Sequence, residues 1–235
     1  MLVQSLAGRP GRAGAVGALV AAALLGASGA GANVPLAQVS SDPFTNASSQ
    51  HATEVEPDTF AHGNTIVATF QVGRFFDGGA TDIGFARSGN GGASWTHGNL
   101  PGMTFTSGAS TSPYERVSDA SVAYDTVHDT WLISSLSILP SVVSPTVLVN
   151  RSTDDGRTWS RPASIPPPVS NSIDLDKNWT VCDNVSTSFR GHCYTELDNF
   201  GDGGRELMST STDGGQTRST PIQTAGHDKG LGGRT

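Results

Sequence analysis

Helical periodicity is what this chain most plainly lacks. No segment of its 235 residues sustains apolar positions at helical spacing. Short β-branched runs broken by Gly, Pro, Asn and Asp occupy the chain instead, the composition of a turn-rich all-β protein. Charge is sparse at 15% of residues, lysine is rare and the net charge is −7, so the footprint of a nucleic-acid or anionic-lipid binder is missing. Hydrophobicity is too high and charge too low for a disordered chain. The six histidines show no metal-ligand spacing, and there is neither a Ser-His-Asp signature nor a phosphate-binding glycine loop. Beyond Leu25 no apolar run is long enough to cross a membrane.

The first residues read as a targeting segment. Arg9 and Arg12 precede an apolar stretch from Ala13 to Leu25, and Ala30-Gly-Ala32 offers a small-residue cleavage site. That order predicts a secretory signal peptide over 1–32 and an exported mature protein with no membrane segment. Losing Arg9 and Arg12 takes the formal charge from −7 to −9. In an exported protein the two cysteines, Cys182 and Cys193, are expected to pair. Closing so short a loop is worth about 2–3 kcal/mol on the chain-entropy model.

One phrase recurs three times: Ser88-Gly-Asn90-Gly-Gly92-Ala-Ser94-Trp95, Ser152-Thr-Asp154-Asp-Gly156-Arg-Thr158-Trp159 and Ser211-Thr-Asp213-Gly-Gly215-Gln-Thr217-Arg218. The copies start 64 and 59 residues apart, a spacing that marks an array of supersecondary units. Each copy predicts a hairpin turn: Asp or Asn bonds nearby amides, Gly supplies positive φ, and Ser/Thr-Trp opens the return strand. Arg218 stands where the third Trp is expected, and losing a buried ring there would remove about 3–5 kcal/mol of packing.

The phrase resembles the Asp-box, or BNR repeat, of sialidase-like β-propellers, and from about Glu54 to Thr224 the chain is similar to secreted bacterial proteins of exo-α-sialidase-like type. The resemblance implies blades of four antiparallel strands, about 54–105, 114–165 and 172–224, each with three strands before its Asp-box and one after. A linker over 33–53 would precede them and a Gly-rich tail over 225–235 would follow. Three blades fall short of the four to eight that close a propeller, so this partial propeller is expected either to close by assembling with other copies or, the reading favoured here, to be a fragment ending near a truncation point. The resemblance makes the Asp-box residues scaffold on the outer part of each blade.

It also directs attention to the segments entering each innermost strand, near the channel mouth. These hold Glu54, Glu56 and Asp58 in the first unit, Tyr114, Glu115, Arg116 and Asp119 in the second, and Asp174, Asp176 and Lys177 in the third. Sialidase chemistry would call on an arginine for the sugar carboxylate, a tyrosine nucleophile with a glutamate partner, and an acid. The candidates are Arg116, the same-face pair Tyr194 and Glu196, and Asp119, with Glu56, Asp58, Asp176 and Lys177 as channel-face binding residues. The Arg-Ile-Pro phrase usual in the family is absent, and Gln50 to Asp58 contains no arginine. A glycoside hydrolase acting on glycans and a non-catalytic propeller that binds glycan or protein both fit these residues. No cofactor is implied. Asp198-Asn-Phe-Gly-Asp202-Gly203 carries oxygen ligands that could hold Ca²⁺, but it lacks EF-hand spacing and reads first as a hairpin loop. The sequons at Asn46, Asn178 and Asn184 would ordinarily go unused in a bacterial protein.

Overall fold

The computed structural model describes residues 36–231; the expected signal peptide lies outside them. Twelve strands are found among the described residues. The first four-stranded unit comprises β1 (Gln50–His62), β2 (Thr65–Arg74), β3 (Ala80–Ser88) and β4 (Thr96–Asn99). The second comprises β5 (Arg116–Asp125), β6 (Thr130–Ile138), β7 (Val147–Ser152) and β8 (Ala163–Ser164). The third comprises β9 (Leu175–Cys182), β10 (Cys193–Asn199), β11 (Arg205–Ser211) and β12 (Ile222–Gln223). All pairings are antiparallel between consecutive strands, and a single pair, Ala80 with Val117, joins the first unit to the second. Neither resulting sheet closes on itself.

The expected pattern of three strands, repeated phrase, then a fourth strand is therefore present in every unit. Strand limits differ from the sequence reading at both ends. β1 begins at Gln50, inside the segment expected to be a linker, and Val39 and Phe44 from that segment pack against β2 and β3 through Ala68, Phe70, Val72 and Ala86. At the other end Lys229 bridges to Arg205, so residues of the expected tail pair with β11.

The middle unit explains why the strands are so uniformly apolar or small. On β6, Trp131 and Ile133 point toward the first unit and pack with Val67, Ile83, Val117 and Leu148. Leu132 and Leu136 point the other way, onto Leu175, Leu197 and Leu207 of the third unit. Alternation puts successive residues on opposite faces, and here both faces are covered. Serines fill the remaining positions, and Ser134, Ser135 and Ser137 are fully buried.

The repeated phrase folds the same way each time. The Gly92, Gly156 and Gly215 amides donate to the hydroxyls of Ser88, Ser152 and Ser211 at 2.8, 2.9 and 2.9 Å. Those hydroxyls donate to Asn90, Asp154 and Asp213 Oδ1, which also accept the amides of Ser94, Thr158 and Thr217. The three glycines have φ of 91°, 75° and 77°, and a Cβ on Gly215 would lie 2.6 Å from Leu132 Cδ2. In the first copy the last bond reverses polarity: Asn90 Nδ2 donates to Ser94 Oγ, whereas Thr158 and Thr217 donate to carboxylates.

The hairpins also lock the units together. Arg87, just before Ser88, donates from Nε to the Asp155 carbonyl at 2.8 Å and pairs with the Asp155 carboxylate. Arg151, just before Ser152, donates from Nε to the Gly214 carbonyl at 2.6 Å. Trp159 reaches back to Phe85 of the first unit, with centroids 5.7 Å apart. Arg218 replaces the ring by donating to Thr195 Oγ1 at 2.8 Å, and burial lowers its pKa to about 10. The expected disulfide joins Cys182 and Cys193, which face each other directly across β9 and β10.

Burial raises the pKa of Asp154 and Asp213, but the bonds from Thr158 and Ser152, and from Thr217 and Ser211, outweigh it and hold both at about 2. The folded value lies below the unfolded value of about 3.9. Their stabilisation is therefore complete above about pH 4 and is lost as pH falls toward about 2. The Asp154→Asn/Asp213→Asn variant, with turns like that of Asn90, should lose less stability between pH 4 and pH 2 than the natural chain. Urea unfolding at both pH values checks this, and equal losses would refute it.

Candidate functional site

A cavity of about 510 Å³ opens where β5 and β9 begin and β2, β6 and β10 end. Its wall carries Glu56, Asp77, Asp119, Asp174 and Asp176, with Arg74, Ser118, Ser144 and Phe200. The segments entering the innermost strands thus do converge on one cleft.

A repeated backbone device brings them there. β1 is bulged between Val55 and Asp58, β5 between Ser118 and Ser121, and β9 where Asn178 and Asp176 meet β10. The residue at the heart of each bulge has positive φ: Glu56 at 53°, Asp119 at 50° and Lys177 at 48°. A side chain in the left-handed region costs about 1–2 kcal/mol. Bulges re-aim side chains beside sites, and strain of this kind concentrates at functional positions. Here a non-glycine residue accepts that cost at the same register in all three units. Two residues further on, the inner strands are stitched together. Asp58 Oδ2 accepts the Val122 amide at 2.8 Å, and Ser121 Oγ accepts the Thr180 amide at 3.1 Å. Asn178, one of the sequon asparagines, is buried and donates to the Asp119 carbonyl at 2.7 Å.

The cations around the cleft are all engaged. Lys177 Nζ lies 3.3 Å from Asp119 Oδ2, and Arg74 Nη1 lies 3.8 Å from Glu56 Oε1. Arg116 is largely buried against the Phe75 ring, where its Nη1 donates to Asp77 at 2.6 Å and to the Gly78 carbonyl at 3.0 Å. Its Nε donates to Glu115 at 3.2 Å. The bond to Arg116 holds the Asp77 carboxyl below the usual carboxylate range.

The structure therefore divides the sequence-predicted residues. Glu56, Asp119 and Asp176 line the cleft. Lys177 sits at its edge through Asp119, Asp58 is turned to the β5 backbone, and Arg116 is tied beneath the rim. Tyr194 and Glu196 share a face of β10, as alternation requires, but neither lines the cleft. Glu196 is buried, and burial followed by the neighbouring Asp198 carboxyl pushes its pKa up to about 9, so it is protonated at neutral pH. The Asp198–Gly203 loop closes as a 3₁₀ turn over Phe200–Asp202, with Asp202 paired to Arg205 at 3.3 Å. Among the described residues no three His, Cys, Asp or Glu side chains group as a metal site would need. Sequence reasoning missed Asp77, Ser144 and Phe200, which come from the connections after β2, β6 and β10.

No family model matches the chain, and no curated protein matches it in sequence. Among solved structures it is similar to a Hadza microbial sialidase, with 18% identity and a TM-score of 0.56 over 74% of this chain and 38% of that one. It is also similar to the Trypanosoma rangeli sialidase in complex with 2,3-difluorosialic acid, at 17% identity and a TM-score of 0.53 over 74% and 31%. A third is an α-L-arabinofuranosidase from Fusarium graminearum, at 14% and 0.54 over 77% and 51%. These are β-propeller glycosidases, and at such identities the likeness is one of fold. The chain spans between 31% and 51% of their lengths.

Lys177→Gly should relieve the left-handed strain and lose only a partly exposed ion pair, worth about 0–1 kcal/mol. We expect a net gain of about 0.5–1 kcal/mol in urea unfolding; a loss of stability would show that the bulge is not strained.

Proposed function

We infer that the chain is part of an exported, sialidase-like β-propeller of glycoside-hydrolase type, with its glycan cleft at the mouth formed by the three bulged inner strands. The observation that carries this reading is the convergence of Glu56, Asp119 and Asp176 from equivalent strand entries on one cleft. It gains support from a fold shared with glycosidases that act on different sugars. Glycoside hydrolysis requires a pair of carboxyl groups flanking the scissile bond, and this wall supplies carboxyls from all three units. In this reading Asp119 acts as acid or base on the glycosidic oxygen or water, while Glu56 and Asp176 orient sugar hydroxyls. Export rests on the signal-like segment over 1–32 and fits the disulfide.

A second reading, a propeller that binds glycan without turning it over, is favoured by a specific observation. Arg116 is already engaged by Asp77 and Glu115, and Tyr194 and Glu196 lie outside the cleft. The parts that sialidase chemistry would call on are not gathered at one point in this chain.

A panel of chromogenic glycosides, including a sialoside and an arabinofuranoside, separates the two readings. The first expects turnover of at least one member and a loss of about 10²-fold or more in kcat for Asp119→Asn, with the fold intact by circular dichroism. Binding on a glycan array with no turnover would establish the second. Turnover unaffected by Asp119→Asn would remove Asp119 from the chemistry.

A further inference from the structure

The charge arrangement of the cleft bears on what sugar it accepts. A carboxylate-bearing sugar is held by free guanidinium or ammonium groups, ideally a bidentate arginine. Among the described residues each cation at this cleft already faces a carboxylate. Arg74 is paired with Glu56, Lys177 with Asp119, and Arg116 with Asp77 and Glu115 beneath the rim. Asp174 and Asp176 remain on the wall with no ion pair among the described residues. A ligand anion would thus meet carboxylates in a recess with low-dielectric walls, where like charges repel more strongly than in bulk water.

What the wall offers is suited to hydroxyls. Asp174 Oδ1 accepts the Ser144 amide at 3.0 Å, and Asp176 Oδ1 accepts the Lys177 amide at 2.9 Å, which leaves each with lone pairs to spare. Ser144 is 4% exposed on the cleft wall, and its buried Oγ meets no hydrogen-bond partner among the described residues. Buried polar atoms are normally satisfied, so this hydroxyl is available to a hydroxyl-bearing ligand in the adjoining cleft. Phe200, 45% exposed at the rim, presents an apolar ring for the C–H face of a pyranose or furanose.

We propose that this cleft takes a neutral, polyhydroxylated glycan and rejects sugars that carry a carboxylate, sialic acid among them. The proposal rests on the glycan cleft inferred above and sharpens it to a substrate class. Carboxylate oxygens accept from vicinal hydroxyls, Ser144 completes the polar set, and the paired cations act as spacers that keep the acids apart.

Chemical-shift perturbation of the full chain tests this, using galactobiose and digalacturonate, which differ at C6 by hydroxymethyl against carboxylate, together with N-acetylneuraminate. Galactobiose should shift the amides of Asp119, Ser144 and Asp176, while the two acidic sugars bind at least tenfold more weakly at low ionic strength. Asp176→Lys should narrow that gap by raising affinity for digalacturonate. Acidic sugars binding as tightly as galactobiose at these residues would overturn the proposal and leave the glycan cleft standing. If no sugar perturbs these residues, the cleft reading itself fails and the proposal falls with it.

Discussion

A four-stranded sheet whose two faces are both apolar must be covered on both, and this requirement organises the molecule. The second unit meets it by lying between the other two, so that Trp131 and Leu132, adjacent in sequence, belong to different cores. Burial therefore acts between units as much as within them. The outer face of the first unit is served by another device, the segment bearing Val39 and Phe44. The hydrogen-bonded hairpins add polar bonds between neighbouring units, received from Arg87 and Arg151.

The arginine preceding each of the first two hairpins supplies these bonds. Arg87 and Arg151 each bind the turn of the following unit at its left-handed position, Asp155 in one case and Gly214 in the other. A turn that is locally satisfied by Ser and Asp thereby becomes an anchoring point for its neighbour. Thr210 holds the corresponding place in the third unit, and Arg218 replaces the tryptophan there. The third unit thus departs from the second at both residues that mediate contacts between units, Arg151 and Trp159.

Much of the scaffold was legible in the sequence because it is written in local terms. Period-two apolar runs predict strands, and a phrase with Ser, Asp or Asn, and Gly at fixed offsets predicts a turn without reference to anything distant. The cleft was only partly legible. Its acids could be placed at strand entries, but Glu56, Asp119 and Lys177 carry no mark of positive φ, which Gly or Asn would have announced. Nor could the sequence show that Arg116 would be occupied, because Asp77 reaches it from a connection 39 residues away in the chain. Tyr194 and Glu196 were aligned correctly on one strand face, yet strand alternation says nothing about which cavity that face meets.

The placement of the disulfide has a mechanical consequence. Cys182 and Cys193 sit opposite each other in one hairpin of the third unit, so the only covalent cross-link among the described residues spans no boundary between units. Under load applied to the ends of the chain, the cross-linked hairpin would resist shear while the packed faces on either side of the second unit carry the force through van der Waals contact and arginine bonds. Such a chain is built to part between its sheets before any single hairpin is drawn out.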